Sequence, residues 1–382
     1  MTLTARFHES IHEFDAQSWS GLWASDNPFI RFEFLAALED SGCVSEHTGW
    51  KPFHLALYRG STLVAALPLY LKQHSHGEFV FDWSWADAYQ QHGLSYYPKL
   101  LTAVPFTPSA GPRVAISREI NHDDAWRQIL DAIREQCRAN GISGWHLLFP
   151  HEAPVVGNEY PLLERNDVQF HWHNRDYASF EDFLASLRSG RRKNLRRERN
   201  SLAGLACVTE RKTGAQITAA DWEHFYQCYC HTYRKRSGHS GYLNREFFDA
   251  LLRRMPEQLM LVVARRESVA VASALFLFDK ECLYGRYWGA LESLRNLHFE
   301  CCFYQGMDFC IEQGIARFDP GTQGEHKLLR GFEPVTTRSW HWLADARFRE
   351  AVGQFLAREK MSVDAYTREV SEYLPFRRHD DG

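Results

Sequence analysis

Residues 259–288, LMLVVARRESVAVASALFLFDKECLYGRYW, read as three strands joined by two tight turns. Leu259–Ala264 and Val269–Phe278 are apolar runs separated by the polar Arg265–Ser268, and Asp279-Lys280 turns the chain again into Cys282–Trp288. Short apolar runs bounded by turn residues have the signature of strands. His298–Gln313 (HFECCFYQGMDFCIEQ) then has helical spacing and a closing Gly314, and Ile315–Asp319 is again strand-like. A helix between two strands of one sheet is a crossover, which joins parallel neighbours. The segment therefore predicts a mixed sheet, antiparallel first and parallel at its end.

Moving outward, the same order occurs once before. Phe53–Tyr58, the turn Arg59-Gly60-Ser61 and Thr62–Leu71 repeat the first two strands, and Phe79–Trp83 reads as the third. After an insertion rich in aromatic residues and proline, Asp123–Ala139 places Trp126, Ile129, Leu130, Ile133 and Cys137 at helical spacing, with Gly141 as a C-terminal cap. Trp145–Phe149 is the short strand that follows, and Asn140-Gly141-Ile142 matches Gln313-Gly314-Ile315 at the two junctions. Two copies in one order indicate a duplication. The expected division is residues 1–175 and residues 176–382, the first containing the insertion and the second a basic helix and a helical tail.

The bulk properties fit that organisation. A chain of 382 residues exceeds one ordinary core. Its composition, 45% hydrophobic and 24% charged, is that of a globular protein, and the modest net charge of −4 says little about partners by itself, less than the distribution of charge does. The sequence holds no apolar stretch long enough to span a bilayer. His8, Glu9, Glu13 and Asp15 stand where a signal peptide needs an apolar core, so a cytoplasmic location is expected. Nine cysteines at scattered positions read as reduced, mostly buried thiols rather than a disulfide framework.

Between the copies, Phe183–Leu202, Asp221–Arg236 and Arg245–Arg254 have helical patterns, and Asp345–Tyr373 forms a helical tail. Asn27-Pro28-Phe29, the run Arg191–Arg199, Tyr284-Gly-Arg-Tyr-Trp-Gly289, and Phe318-Asp-Pro-Gly321 continuing through Glu325-His326-Lys327 to Arg330-Gly331-Phe332 carry a family resemblance. With the duplicated unit, they resemble the FemAB-like (peptidoglycan biosynthesis/recognition) family of the GNAT acyltransferase superfamily. The resemblance spans nearly the whole chain. It implies an α/β fold of tandem GNAT-like domains with mixed sheets and a C-terminal helix. It also implies transfer of an acyl or aminoacyl group to an amine, with aminoacyl-tRNA or a CoA thioester as donor, a cell-wall precursor as acceptor and no resident cofactor. Acetyl-CoA-using relatives carry a glycine-spaced pyrophosphate loop after the third strand. This chain has Gly289-Ala-Leu-Glu-Ser-Leu-Arg-Asn-Leu297 there, which argues against acetyl-CoA held in that manner. The related ligases have a lysine two residues before the Gly-Phe pair; here Leu329 occupies the position, flanked by Lys327 and Arg330.

The candidate site follows from residue chemistry. Arg188, Arg191, Arg192, Lys193, Arg196, Arg197 and Arg199 cluster with one acid, Glu198, and Arg188, Arg192, Arg196 and Arg199 recur at helical spacing. Such a row suits phosphate or an RNA backbone, though it also suits a solvated helix face. Arg286 and Tyr287 lie on the third strand, and Arg286 needs an anion, for which Glu300 is a candidate unless that carboxylate is itself a base. Asp319 ends a strand, and Gln323, Glu325, His326 and Lys327 follow. Acyl transfer needs a base for the amine and a donor to the oxyanion. Glu325 or His326 could supply the first, and Lys327 or a backbone N–H the second, with Arg286, Asp319, Gln323 and Arg330 beside the substrate. No metal site is expected, because Cys228-x-Cys230-His231 and His171-x-His173 do not converge as metal ligands must. The alternative is a non-catalytic module that recognises a peptidoglycan precursor or RNA through the basic helix.

Overall fold

The structure is a computed structural model that describes residues 3–377 except Asn158 and Gln323, with Ala203 described by its backbone alone. In chain order the strands are β1 (Leu3–His8), β2 (Trp50–Pro52), β3 (His54–Arg59), β4 (Thr62–Leu67), β5 (Tyr70–Lys72), β6 (Lys99–Thr102), β7 (Ala115–Ile116) and β8 (Gly144–Leu148). They continue as β9 (Leu163–His173), β10 (Cys207–Thr213), β11 (Leu259–Arg266), β12 (Val269–Phe278), β13 (Cys282–Ala290), β14 (Arg317–Asp319) and β15 (Glu333–Leu343). The chain forms two compact units. The first comprises Met1–Asp167 and Thr336–Asp364, the second Val168–Val335 and Ala365–Gly382. Thus residues 336–364, placed with the second copy on sequence order, group with the first.

In the second unit the strand order is β10-β11-β12-β13-β14-β9. The pairing is antiparallel except between β13 and β14, which run parallel as the crossover requires. The crossover helix spans Leu297–Gln313, interrupted by a π-helical turn at Glu300–Tyr304 and closed by Gly314 in the left-handed conformation. Leu283, Met307, Phe318 and Phe332 are completely or almost completely buried in its core.

The first unit contains the same parallel crossover. Its β6 and β8 pair in parallel, joined by the helix His122–Asn140, which Asn121 caps at one end and Gly141 at the other. Residues 339–343 of β15 extend that sheet beyond β8, while β5 and β2 follow β6. A separate antiparallel sheet has the order β1-β3-β4-β7. Three expectations are corrected. Thr62–Leu71 is two strands, because Pro68 between them has no N–H to donate. Phe79–Trp83 is not a strand; Trp83–Gln91 is a helix, which sets Trp85 and Tyr89 one turn apart in a common core, and β6 inside the insertion takes the third-strand place. Phe183–Leu202 is two helices, Phe180–Ala185 and Ser189–Ala203, because Leu187 and Arg188 bond instead to the extended tail at Phe376 and Pro375.

Candidate functional site in the second unit

The parallel pairing of β13 with β14 stops at Tyr284↔Asp319, while β13 runs on to Ala290. β14 ends at that pair, the apex of the shared ladder, and β13 continues past it. Arg286 is the extra residue of a bulge, since Leu275 pairs with Tyr287 and Phe276 with Gly285. At the apex the chains touch: a Cβ on Gly285 would lie 3.3 Å from Cα of Pro320, so the glycine permits the approach. Past the apex the backbone N–H of Gly321 donates to Asp319 Oδ1 at 2.9 Å, and a 3₁₀ turn forms over Glu325–Arg330.

Behind this turn lie three buried ionisable side chains, Asp319 (1% exposed), Lys327 (2%) and His171 (4%). Lys327 Nζ donates to the Gly321 carbonyl. Burial lowers its pKa to about 8, with the nearby Asp319 carboxylate limiting the fall. His171 Nε2 is 3.7 Å from Asp319 Oδ1, and burial brings the imidazole pKa down to about 4, so it is neutral at pH 7. His326 is exposed on the outer side of the turn, packed near Phe299 and Phe303 at ring distances of 5.7 and 5.6 Å. Its pKa is lowered by partial desolvation and then by Arg330 and Lys327, leaving an unprotonated nitrogen at neutral pH. Glu325 is also exposed and accepts from the Tyr366 hydroxyl at 2.8 Å.

Arg330 is committed to structure. Nη2 donates to both oxygens of Glu198 at 2.9 Å, Nη1 donates to the His326 carbonyl at 2.7 Å, and the guanidinium lies 3.4 Å over Phe299. The Tyr304 hydroxyl also donates to Glu198. Glu300 accepts from Arg199 Nη2 at 3.0 Å and from Gln305 at 2.7 Å, and Arg199 also donates to Asp308 at 2.7 Å. The basic helix is thus pinned at its C-terminal half, through Glu198 to the loop and through Arg199 to the π-turn.

Residues 10–378 match the family model described as FemAB-like, peptidoglycan biosynthesis/recognition. The chain belongs to the FemAB-like family. Among solved structures it is similar to FemX, at 12% identity and a TM-score of 0.51, with 92% of this chain and 100% of that one covered. It is also similar to the C-terminal domain of a candidate lysylphosphatidylglycerol synthetase from Agrobacterium fabrum (11% identity, TM-score 0.51, 90% and 96% covered). A conserved protein of unknown function from Bacteroides thetaiotaomicron matches at 12% identity and a TM-score of 0.50, with 89% and 100% covered. At such identities these structures establish the fold alone. No curated protein matches the chain.

The other expected residues of this FemAB-like chain are distributed as follows. On the basic helix, Arg196 is exposed and pairs with Glu181, Lys193 is exposed, and Arg191 and Arg192 are half-buried. Arg188 sits before the helix and donates to the Leu374 carbonyl, so with Arg199 turned to Glu300 the four-arginine row is not one free face. Arg286 is half-buried with its guanidinium 5.3 Å from the Tyr287 ring, which itself packs against Tyr229 and Phe248. Glu300, expected as a partner for Arg286 or as a base, is instead bonded to Arg199 and Gln305. Gln323 lies outside the described residues. A Cβ on Gly289 would meet the Cys228 carbonyl at 2.0 Å, so this glycine lets β13 approach a helix rather than a phosphate. Sequence reasoning did not assign His171, Glu198 or Tyr304 to the site. His171-x-His173 was visible only as a poor metal motif, and the partners of Glu198 are distant in sequence. Among the described residues, no group of three or more His, Cys, Asp or Glu could hold a metal ion, and no helix is long and apolar enough to cross a membrane.

Proposed function

We propose that this FemAB-like protein is a transferase that moves an acyl or aminoacyl group onto an amine of a peptidoglycan precursor. The observation that carries the reading is Lys327, a buried ammonium on the turn that follows the end of β14. A cation in a water-poor site stabilises a developing oxyanion far better than one in bulk water. In the proposed step the amine nitrogen attacks the acyl carbon, the carbonyl oxygen gains charge facing Lys327, and His326 takes the proton lost by the amine. The hydroxyl of tRNA or the thiol of CoA then leaves with that proton. Asp319 supplies the counter-charge to Lys327, and Arg286 lies one residue from the apex for a phosphate or carboxylate of either substrate.

The test is mass-spectrometric. The protein is incubated with aminoacyl-tRNA, or with acyl-CoA thioesters, and a precursor peptide carrying a free amine. Wild type should add the acyl mass to the peptide, and Lys327→Ala should do so about 10²-fold more slowly per folded molecule. Equal rates would remove Lys327 from the chemistry. Tight precursor binding without product from any donor would favour a recognition module.

A further inference from the structure

The first unit contains a buried line of hydrogen bonds that the function above does not use. It begins at Asp82, whose carboxylate accepts from Lys99 and, at 2.6 Å, from the Tyr96 hydroxyl. Burial alone would raise the Asp82 pKa, but the adjacent Lys99 ammonium outweighs it and keeps the group ionised. Tyr96 OH is 3.3 Å from His146 Nε2, His146 Nδ1 is 2.6 Å from His341 Nδ1, and His341 Nε2 is 2.9 Å from Ser339 Oγ. Both imidazoles are held neutral by burial, His146 at a pKa of about 3, so each has one N–H.

These hydrogen bonds admit one consistent direction. An ionised carboxylate can only accept, so the Tyr96 proton is committed to Asp82 and the phenol oxygen must accept from His146 Nε2–H. His146 Nδ1 is then an acceptor, His341 Nδ1–H its donor, and His341 Nε2 the acceptor of the Ser339 hydroxyl proton. Ser339 therefore spends its only donor inward and keeps both oxygen lone pairs to accept. It lines a pocket of about 110 Å³ with Asn166, Thr337, Arg165, Arg338 and Phe81. Asn166 is 8% exposed and its Oδ1 has no hydrogen-bond partner. Asn166 lines the pocket while this oxygen is sealed from water, so a turn of its side chain sets a second acceptor beside Ser339, and two acceptors call for a ligand with two N–H donors.

The pocket's charges are mostly matched. Arg165 is bound by both oxygens of Glu359 at 2.8 Å, and Arg338 by Glu164 at 3.2 Å, while Asp167 is exposed to water. A net ammonium or carboxylate would meet no unmatched buried counter-charge there. The volume matches a few waters or a group of amide size. We propose that this pocket is a binding subsite for a neutral primary amide, whose NH₂ donates to Ser339 Oγ and Asn166 Oδ1 while Arg338 at the rim meets its carbonyl. This goes beyond the transfer reaction, which was placed on second-unit residues.

The experiment uses the whole chain labelled with ring-¹⁵N histidine, with the two resonances assigned through His146→Asn and His341→Asn. Long-range ¹H–¹⁵N spectra of wild type should show His341 as the Nδ1–H tautomer and His146 as Nε2–H. Acetamide should shift the His341 nitrogens saturably at about millimolar concentration, while acetate and methylammonium at equal concentration should leave them in place. Asn166→Leu should weaken the acetamide response at least tenfold. An Nε2–H tautomer at His341 overturns the direction of the line and with it the proposal. Response to acetate or methylammonium in place of acetamide, no saturable response, or an unchanged response in Asn166→Leu overturns the ligand class. The tautomer and titration readings on wild type need no variant to fold beyond those used for assignment, and none of them depends on transferase activity.

Discussion

Under the proposed mechanism, Lys327 is the residue at which stability and chemistry pull in opposite directions. Its folded pKa of about 8 lies below the ordinary 10.5, so between those values the unfolded chain binds more protons than the folded one. Stability must then rise with pH across that interval, by at most about 3 kcal/mol, because deprotonation relieves a buried charge. Turnover that needs the ammonium must fall across the same interval. Wild type is expected to lose rate above about pH 8 while its denaturation midpoint climbs, and Lys327→Arg, charged throughout, should show neither trend. Parallel pH profiles of rate and urea midpoint check this; a rate that is flat to pH 10 removes the ammonium from the mechanism. At this scale the sequence was informative where chemistry is local. Glu325-His326-Lys327 stood out as a polar run after a strand end, and the structure puts all three on one turn. It was uninformative for Arg330, whose donors are taken by Glu198 and the His326 carbonyl, because that pairing depends on a helix 132 positions away in sequence.

At the level of elements, the helix Ser189–Ala203 shows why a charge count does not translate into a surface. Of its seven basic side chains with Arg188 included, Arg188 and Arg199 serve as internal ties, and Arg196 is neutralised by Glu181, whose carboxyl is held below its ordinary pKa chiefly by that hydrogen bond. The remaining set, Arg191, Arg192, Lys193 and Arg197, is the part available to a phosphate-bearing ligand such as tRNA. Arg192→Glu with Arg197→Glu should therefore weaken binding of tRNA and lower the slope of log affinity against log salt by about 0.7–0.9 for every phosphate no longer neutralised. Arg196→Glu, which replaces an already paired cation, should have the smaller effect on that slope. Filter binding over a range of salt concentrations measures both; equal slopes for wild type and the double variant would make the helix a solvated face. The strands and the crossover helices were legible because their apolar runs and glycine caps are local signals. The helix break at Ser186–Arg188 was not, since it is made by the hydrogen bonds of a tail that arrives at the end of the chain. Nor was β6, four residues with a buried lysine whose charge is accepted by Glu78 and Asp82.

Over the whole molecule the duplication was readable and its boundary was not, for a topological reason. Each unit completes its sheet with part of a strand that crosses a unit boundary: residues 168–173 of β9 beside β14, and residues 339–343 of β15 beside β8. Period-2 patterning identifies a strand but does not say which sheet receives it. In β15 that patterning has a clear division of labour. Trp340 and Trp342 enter the core with Leu100, Trp145 and Leu147, while Ser339 and His341 join the hydrogen-bonded line and Leu343 the cluster around Trp85. A mutation near the C-terminus should therefore damage the unit that begins the chain. Trp342 is 6% exposed, and Trp342→Ala removes a large side chain from a close-packed core at a cost of about 3–5 kcal/mol, a large share of the roughly 5–15 kcal/mol that holds a typical domain. Native-state hydrogen exchange should show amides of β6 and β8 losing protection in that variant, with amides of β11 and β12 in the second unit much less affected. Loss of protection confined to β11 and β12, or spread evenly over both units, would mean that residues 336–364 are energetically part of the second unit, and that the division read from the sequence describes the protein better than the compact units do.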